Sequence, residues 1–249
     1  MINKQNFECM MLHGWGVSNT VWHDFVGRLN YFDNVSTPCL YEVASKTKDN
    51  KFKSIARALS KSINSDCVVI AWSIGGLIAT QLAGLTDKVK AIIFIASTPC
   101  FVNKEDWLNA LDKKSINDLR IKLSINPMAA LEYFAGLIAH GDVSSKKTIN
   151  VIRHNFANEK YSAILSSWLM EMQQSDQRNE FASLRVPTQV LLGEHDALVC
   201  YRIENQIKQL DSYTRCTIIK DCGHAPFISR PEETNKLISG FVSAEFKQQ

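Results

Sequence analysis

Val68-Val69-Ile70-Ala71-Trp72-Ser73-Ile74-Gly75-Gly76 is an apolar run that stops at Trp-Ser and gives way to two glycines and a helix-like stretch, Leu77 to Leu85. The pattern predicts a strand that turns sharply into a helix, with Ser73 at the apex. Such a turn lifts the serine hydroxyl above the rim of a parallel sheet and aims backbone N–H groups from the helix start at the same point. The small residues let helix and strand approach closely. Ala71 stands where a glycine commonly opens such a turn, and its methyl is a small addition. A plain strand-to-helix connection can show the same five residues, so the rest of the chain has to decide.

Working outward, Cys9 to Leu12 reads as a short buried strand running into His13-Gly14-Trp15-Gly16. Trp22, Phe25, Val26 and Leu29 fall at i, i+3, i+4, i+7, one face of a helix. Val35 to Tyr41 reads as a second strand, with Pro38 suggesting an edge or irregular position. Phe52, Ile55, Ala56, Leu59 and Ile63 define another amphipathic helix. Val89 to Ala96 is almost continuously apolar, as a parallel strand covered on both faces requires. Alternating strands and helices predict right-handed βαβ units.

The rhythm breaks from about 101 to 181, where helical periods replace strand signals. Leu131, Phe134 and Ile138 make one stripe; Ile164, Leu165, Trp168, Leu169 and Met172 make another. This predicts a core of residues 1–100 and 182–249 with an inserted helical cap at 101–181. The core resumes with Val186 to Gly193, a helix marked by Ile203, Ile207 and Leu210, a strand at Cys216 to Ile219, and a last helix opened by Pro231, Glu232 and Glu233.

Composition bounds the function. The 249 residues suffice for one large domain, and 45% hydrophobic with 21% charged residues is ordinary for a globular chain. A net charge of +3 without a long basic run gives no argument for nucleic acid. Met1 to Asn6 lacks the apolar core of a signal peptide, and no 18-residue apolar stretch suggests a membrane span. Seven scattered cysteines, without a C-x-x-C pair, predict reduced thiols in a cytoplasm rather than a disulfide framework or a zinc site.

A serine hydroxyl needs a base to take its proton and a third group to hold that base. In an elbow of this kind the chain order is Ser, acid, His. Asp196 follows the strand ending at Gly193, with Glu194 and His195 as neighbouring rivals. His224 follows the last strand, before the final helix. Ligands of open parallel sheets bind beyond the carboxyl ends of the strands, so Ser73, Asp196 and His224 are expected on one rim. An oxyanion needs preorganised donors. The N–H of Ile74, after the serine, and of Trp15, in the loop after the first strand, have the expected places. His13 reads as a turn-stabilising side chain rather than the base.

Four stretches carry a resemblance: His13-Gly14-Trp15-Gly16, Trp72-Ser73-Ile74-Gly75-Gly76, Ala96-Ser97-Thr98-Pro99-Cys100-Phe101 and His224-Ala225-Pro226-Phe227-Ile228-Ser229-Arg230-Pro231. With them the whole chain resembles an α/β-hydrolase, and within that superfamily the pimeloyl-[acyl-carrier protein] methyl ester esterases of biotin synthesis. Trp107, Asp176, Gln177 and Arg178 fit the same picture. The resemblance implies an α/β-hydrolase fold and a cytoplasmic serine carboxylesterase. Its reaction would release methanol and the free ω-carboxylate from the methyl ester of pimeloyl-acyl-carrier protein. It matches Ser73, Asp196 and His224 to the triad, Trp15 and Ile74 to the oxyanion hole, and Phe134 to an aromatic lining the acyl site. It further implies an acyl-carrier protein as partner, bound by basic cap residues. Tyr133 stands where an arginine is expected, and Arg120, Lys122, Lys146, Lys147 and Arg153 are the available cations. Lysine supplies charge without the planar fork of arginine.

No metal and no cofactor is expected, and neither a membrane nor a nucleic acid as partner; a monomer is. The alternatives are a broad-specificity short-chain carboxylesterase acting on free small esters and, from a different class, a non-catalytic hydrolase-like binding protein. Serine at the apex disfavours Asp-nucleophile dehalogenase and epoxide hydrolase chemistry.

Overall fold

The computed structural model describes residues 5–246, so the first four residues of the N-terminal stretch read above lie outside it. Six strands form one sheet: β1 (Gln5–Leu12), β2 (Phe32–Ser36), β3 (Cys67–Trp72), β4 (Val89–Ile95), β5 (Thr188–Gly193) and β6 (Arg215–Ile219). Their order across the sheet is β2-β1-β3-β4-β5-β6, and every pairing is parallel. All six residues of β3 are buried. A parallel strand covered on both faces has no solvent side, so it reads as a continuous apolar run.

Helices cover the two faces. α1 (His23–Val26), α2 (Leu40–Ser45), α3 (Phe52–Ser60) and α4 (Gly75–Ala83) connect the first four strands. In α3 the buried positions are Phe52, Ile55, Ala56 and Leu59, and each large apolar side chain contributes roughly 1.5–3 kcal/mol by leaving water. Between β4 and β5 the chain inserts α5 (Lys113–Ile125), α6 (Pro127–Ile138), α7 (Ser145–His154), α8 (Ser162–Gln174) and α9 (Arg178–Ala182). α5 packs on α6 and α8, and α6 packs on α7. α10 (Glu204–Leu210), α11 (Pro226–Ser229) and α12 (Pro231–Phe246) complete the molecule. Glu232 and Glu233 lie in the first turn of α12, where the helix dipole favours negative charge.

Two local expectations are corrected. The second strand is Phe32–Ser36, not Val35–Tyr41, and Leu40 and Tyr41 belong to α2. Pro38 has no N–H for a ladder, so the strand ends before it, at the edge of the sheet. Leu40, Tyr41 and Ala44 are the buried face of a six-residue helix, too short to show a period. The helix expected from Trp22 to Leu29 is a 3₁₀ turn, Asn19–Trp22, followed by four residues of α1; Leu29 is buried from a turn beyond it.

β1 has β2 on one side and β3 on the other, so the order of strands reverses there. The crevice beyond the carboxyl ends of β1 and β3 is the topological switch point, where open α/β sheets bind ligands. Leu12 ends β1 and Trp72 ends β3. The next residues are the His13–Gly16 loop and Ser73.

Candidate active site

Ser73 has φ +55°. This left-handed conformation is uncommon for a residue with a side chain and marks a turn that the surroundings hold in place. Its N–H donates to Ile95 O at 3.0 Å, and its carbonyl accepts from Ser97 Oγ at 2.7 Å. α4 starts hard against the end of β1: a Cβ on Gly75 would lie 2.7 Å from Leu12 O.

Asp196 and His224 lie beyond the ends of β5 and β6. His224 Nε2 is 2.9 Å from Ser73 Oγ, and His224 Nδ1 is 2.8 Å from Asp196 Oδ2. The His224 and Asp196 side chains are 1% and 0% exposed. Asp196 Oδ1 accepts from the N–H groups of Leu198 and Val199 at 2.8 and 3.0 Å, which fixes the carboxylate before it meets the ring. The rivals are otherwise engaged: Glu194 accepts from Asp221 N, and His195 is half-exposed beside Glu194.

The backbone of His224 is gripped as firmly as its ring. Its N–H donates to Ile138 O in α6, and its carbonyl accepts from Trp72 Nε1. Sequence reading missed both partners. Trp72 belongs to the elbow stretch, but nothing local in the sequence shows which way its indole N–H points.

The loop after β1 is held by a neutral histidine. His13 is fully buried, and burial pushes its imidazole down to about 4. Nδ1 donates to Gly14 O, and Nε2 accepts from Leu40 N, both at 2.9 Å. Gly16 N donates to Tyr41 Oη at 2.8 Å. α2 thereby fixes the segment that carries Trp15. The Trp15 indole N–H donates to Leu165 O in α8, and its ring meets Phe134 edge-on at 4.8 Å.

A pocket of about 690 Å³, including its open mouth, rises from Ser73, Trp15 and Ile74 between the inserted helices. Phe134, Leu137, Ile116, Leu119, Leu169 and Met172 line it, and Ala197 and Leu198 close one side. Among the described residues the hydroxyl-bearing side chains that line it are Ser73, Ser115 and Tyr133, and none of the lining residues is charged.

The sequence matches the model of the alpha/beta hydrolase family over residues 10–237. The chain belongs to the alpha/beta hydrolase family. It is 28% identical over 250 residues to the pimeloyl-[acyl-carrier protein] methyl ester esterase of Wigglesworthia glossinidia brevipalpis, covering 97% of this chain and 96% of that one. It is 29% identical over 244 residues to the protein of the same name from Aromatoleum aromaticum, covering 94% and 98%. Among solved structures, an esterase from Exiguobacterium antarcticum superposes with a TM-score of 0.79 at 15% identity, covering 96% and 92% of the two chains.

In this alpha/beta hydrolase the five basic residues singled out above are divided between two helices. Arg120 and Lys122 are on α5; Lys146, Lys147 and Arg153 are on α7. Arg153 is paired with Glu132 at 2.7 Å, and Arg120 bonds Asn117. Lys122 Nζ lies 5.1 Å from the centre of the Tyr133 ring at the pocket mouth. Lys147 faces a small cavity with Arg28 and Phe227, away from the pocket.

One group among the described residues, Glu194, His195 and Asp221, has metal-ligand atoms within 4.8 Å of one another. It is largely exposed, and its carboxylates already serve the Asp221 N–H and Arg230. Cys222, beside His224, is a different matter: burial pushes its thiol up to about 12, so it is neutral and unreactive near pH 7. No helix among the described residues is long and apolar enough to cross a membrane.

Proposed function

We propose that this protein is a serine carboxylesterase that hydrolyses the methyl ester of pimeloyl-[acyl-carrier protein], releasing methanol and pimeloyl-[acyl-carrier protein] for biotin synthesis. The observation that carries the chemistry is the buried chain Ser73 Oγ–His224 Nε2–His224 Nδ1–Asp196 Oδ2, with contacts of 2.9 and 2.8 Å, at the floor of an apolar pocket. Near-full-length similarity to two esterases of that name supports the substrate.

With Nδ1 protonated, His224 donates to Asp196 and accepts the Ser73 proton as Oγ attacks the ester carbonyl. Asp196, already fixed by two backbone donors, stabilises the imidazolium that forms. The N–H groups of Ile74 and Trp15 receive the oxyanion, whose stabilisation by one such donor is worth about 2.7–4 kcal/mol. His224 then protonates the leaving methoxide. A water activated by the same ring attacks the acyl-enzyme, and collapse frees Ser73. The 101–181 insertion acts as a cap: Phe134 and the apolar faces of α5, α6 and α8 take the acyl chain, and the carrier lies outside, near the cap cations.

The second reading is a carboxylesterase of free small esters. The engagement of Arg153 by Glu132 and the dispersal of the remaining cap cations favour it. One comparison separates the two. Purified protein is given pimeloyl-acyl-carrier-protein methyl ester, dimethyl pimelate and p-nitrophenyl acetate. Preferred turnover of the carrier-linked ester supports the first reading; turnover of the simple esters alone removes it. A fluorophosphonate that labels wild type and not Ser73→Ala supports both against a non-catalytic binding protein.

A further inference from the structure

One buried carboxylate stands outside the Ser73–His224–Asp196 chain. Asp142 lies in the turn between α6 and α7, and neutral donors take both of its oxygens. Oδ1 accepts from Gly223 N at 2.6 Å, and Oδ2 accepts from Thr148 Oγ1 at 2.7 Å. A buried carboxylate is unfavourable unless such donors are in place. Here one donor comes from the first turn of α7. The other is the residue immediately before His224, 81 positions away in sequence.

The contact belongs to a strip. Ile138 O accepts from His224 N at 3.1 Å, and Val143 N donates to Asp221 O at 3.3 Å. A Cβ on Gly223 would lie 2.6 Å from His140 O. Residues 138–143 therefore run alongside 221–224. Within that strip Asp142 is the only side chain that bonds the backbone of the His224 loop.

We infer that Asp142 is a positioning residue for His224: anchored by Thr148, its carboxylate holds the Gly223 N–H and so sets where the next residue's imidazole meets Ser73 and Asp196. The inference rests on His224 being the base. Asp142 touches no reacting atom. The ring it positions faces Asp196 and Ser73, and the adjacent Cys222 thiol is neutral, so Asp196 is the one charged group the ring contacts directly. If the loop relaxes, the Asp196 contact loosens and the imidazolium is less stabilised.

The test compares wild type, Asp142→Ala, Asp142→Asn and Thr148→Val on p-nitrophenyl acetate, with melting curves for each. A misplacement of this kind costs up to about 100-fold in rate. Asp142→Ala is expected to lower kcat by about 10- to 100-fold at unchanged KM, and to move the acidic limb of the kcat/KM profile to lower pH. Asp142→Asn keeps an acceptor for Gly223 and a partner for Thr148, and is expected to restore most of the rate. Thr148→Val, which leaves the Gly223 bond in place, is expected to lower kcat a few-fold with the limb moving the same way. A folded Asp142→Ala with wild-type kcat and pH profile overturns the inference, as does Asp142→Asn no better than alanine. If Asp142→Ala does not fold, an unmoved limb in Thr148→Val overturns it. A wild type that no fluorophosphonate labels instead removes the base itself, and the inference with it.

Discussion

The Trp72 indole N–H donates to the carbonyl of His224 at 2.8 Å, joining the residue before the serine to the residue that would deprotonate it. The two are 152 positions apart. Because the donor is in β3 and the acceptor is in a loop, the sheet itself fixes the distance between elbow and imidazole. Trp72→Phe keeps most of the packing against Trp22 and Phe227 and removes the donor. A buried carbonyl left unpaired costs about 1–3 kcal/mol. The variant is expected to melt earlier by that amount and to react more slowly with a fluorophosphonate, which stopped-flow or gel labelling reads directly.

The site floor tolerates no added volume. Gly75→Ala would place a methyl against Leu12 O. β1 cannot retreat without breaking its ladder to β3, so the elbow has to move. Overpacking of this kind costs about 1–3 kcal/mol, and labelling of Ser73 should slow in the same variant. A normal melt with normal labelling would show that the turn adjusts freely.

The absence of charge in the pocket lining has a measurable consequence. A free carboxylate entering it would lose hydration with no charged side chain in the lining to replace it. Dimethyl pimelate is therefore expected to exceed its half-acid, monomethyl pimelate, by at least about tenfold in kcat/KM, a difference of about 1.4 kcal/mol. The same repulsion would help expel the acid product. Equal rates for the two esters would mean that the far end of the chain stays in water.

A fully buried histidine and a half-buried glutamate pull stability in opposite directions with pH. His13 is pushed down to about 4 by burial, from 6.5. Over that window the unfolded state binds more protons, so stability falls as pH drops from about 6.5 to 4. His13→Gln should flatten this acid limb in thermal melts, at a cost in stability at pH 8 if Leu40 N or Gly14 O loses its partner.

Glu171 behaves in the reverse sense. Burial raises its carboxyl from 4.5 to about 7, although Phe52 N donates to it at 2.9 Å and Lys51 opposes the shift. The folded state holds that proton more tightly between those values, so stability declines as pH rises through the window. Glu171→Gln keeps an acceptor for Phe52 N without a charge to desolvate. It should melt higher than wild type at pH 8 and match it near pH 4.5.

Much of the molecule could be read before any coordinates. β3, β4 and β5 are apolar runs because both faces of a parallel strand are covered, and the turn residues at 73, 196 and 224 follow strand ends that the pattern already marks. What could not be read depends on contacts between distant segments. Asp142 follows His140-Gly141 at the end of an apolar helix and looks like an ordinary turn residue; only folding brings it to Gly223. The short α2 escapes notice because six residues cannot display a period, and Pro38 obscures where β2 stops. The five basic residues singled out between 101 and 181 are individually visible in sequence, but their distribution over α5 and α7, with Arg153 already paired, is a property of helix packing.

The Trp15 indole is bonded to Leu165 O in α8 while its backbone sits in the loop after β1. Parts of this molecule are consequently not interchangeable modules. Transplanting the 101–181 segment from a relative, as a route to new ester preference, would bring in a different α8 and leave the Trp15 N–H facing a surface it was not fitted to. Such a chimera would lose turnover before it gained selectivity, unless residues 13–16 travelled with the graft.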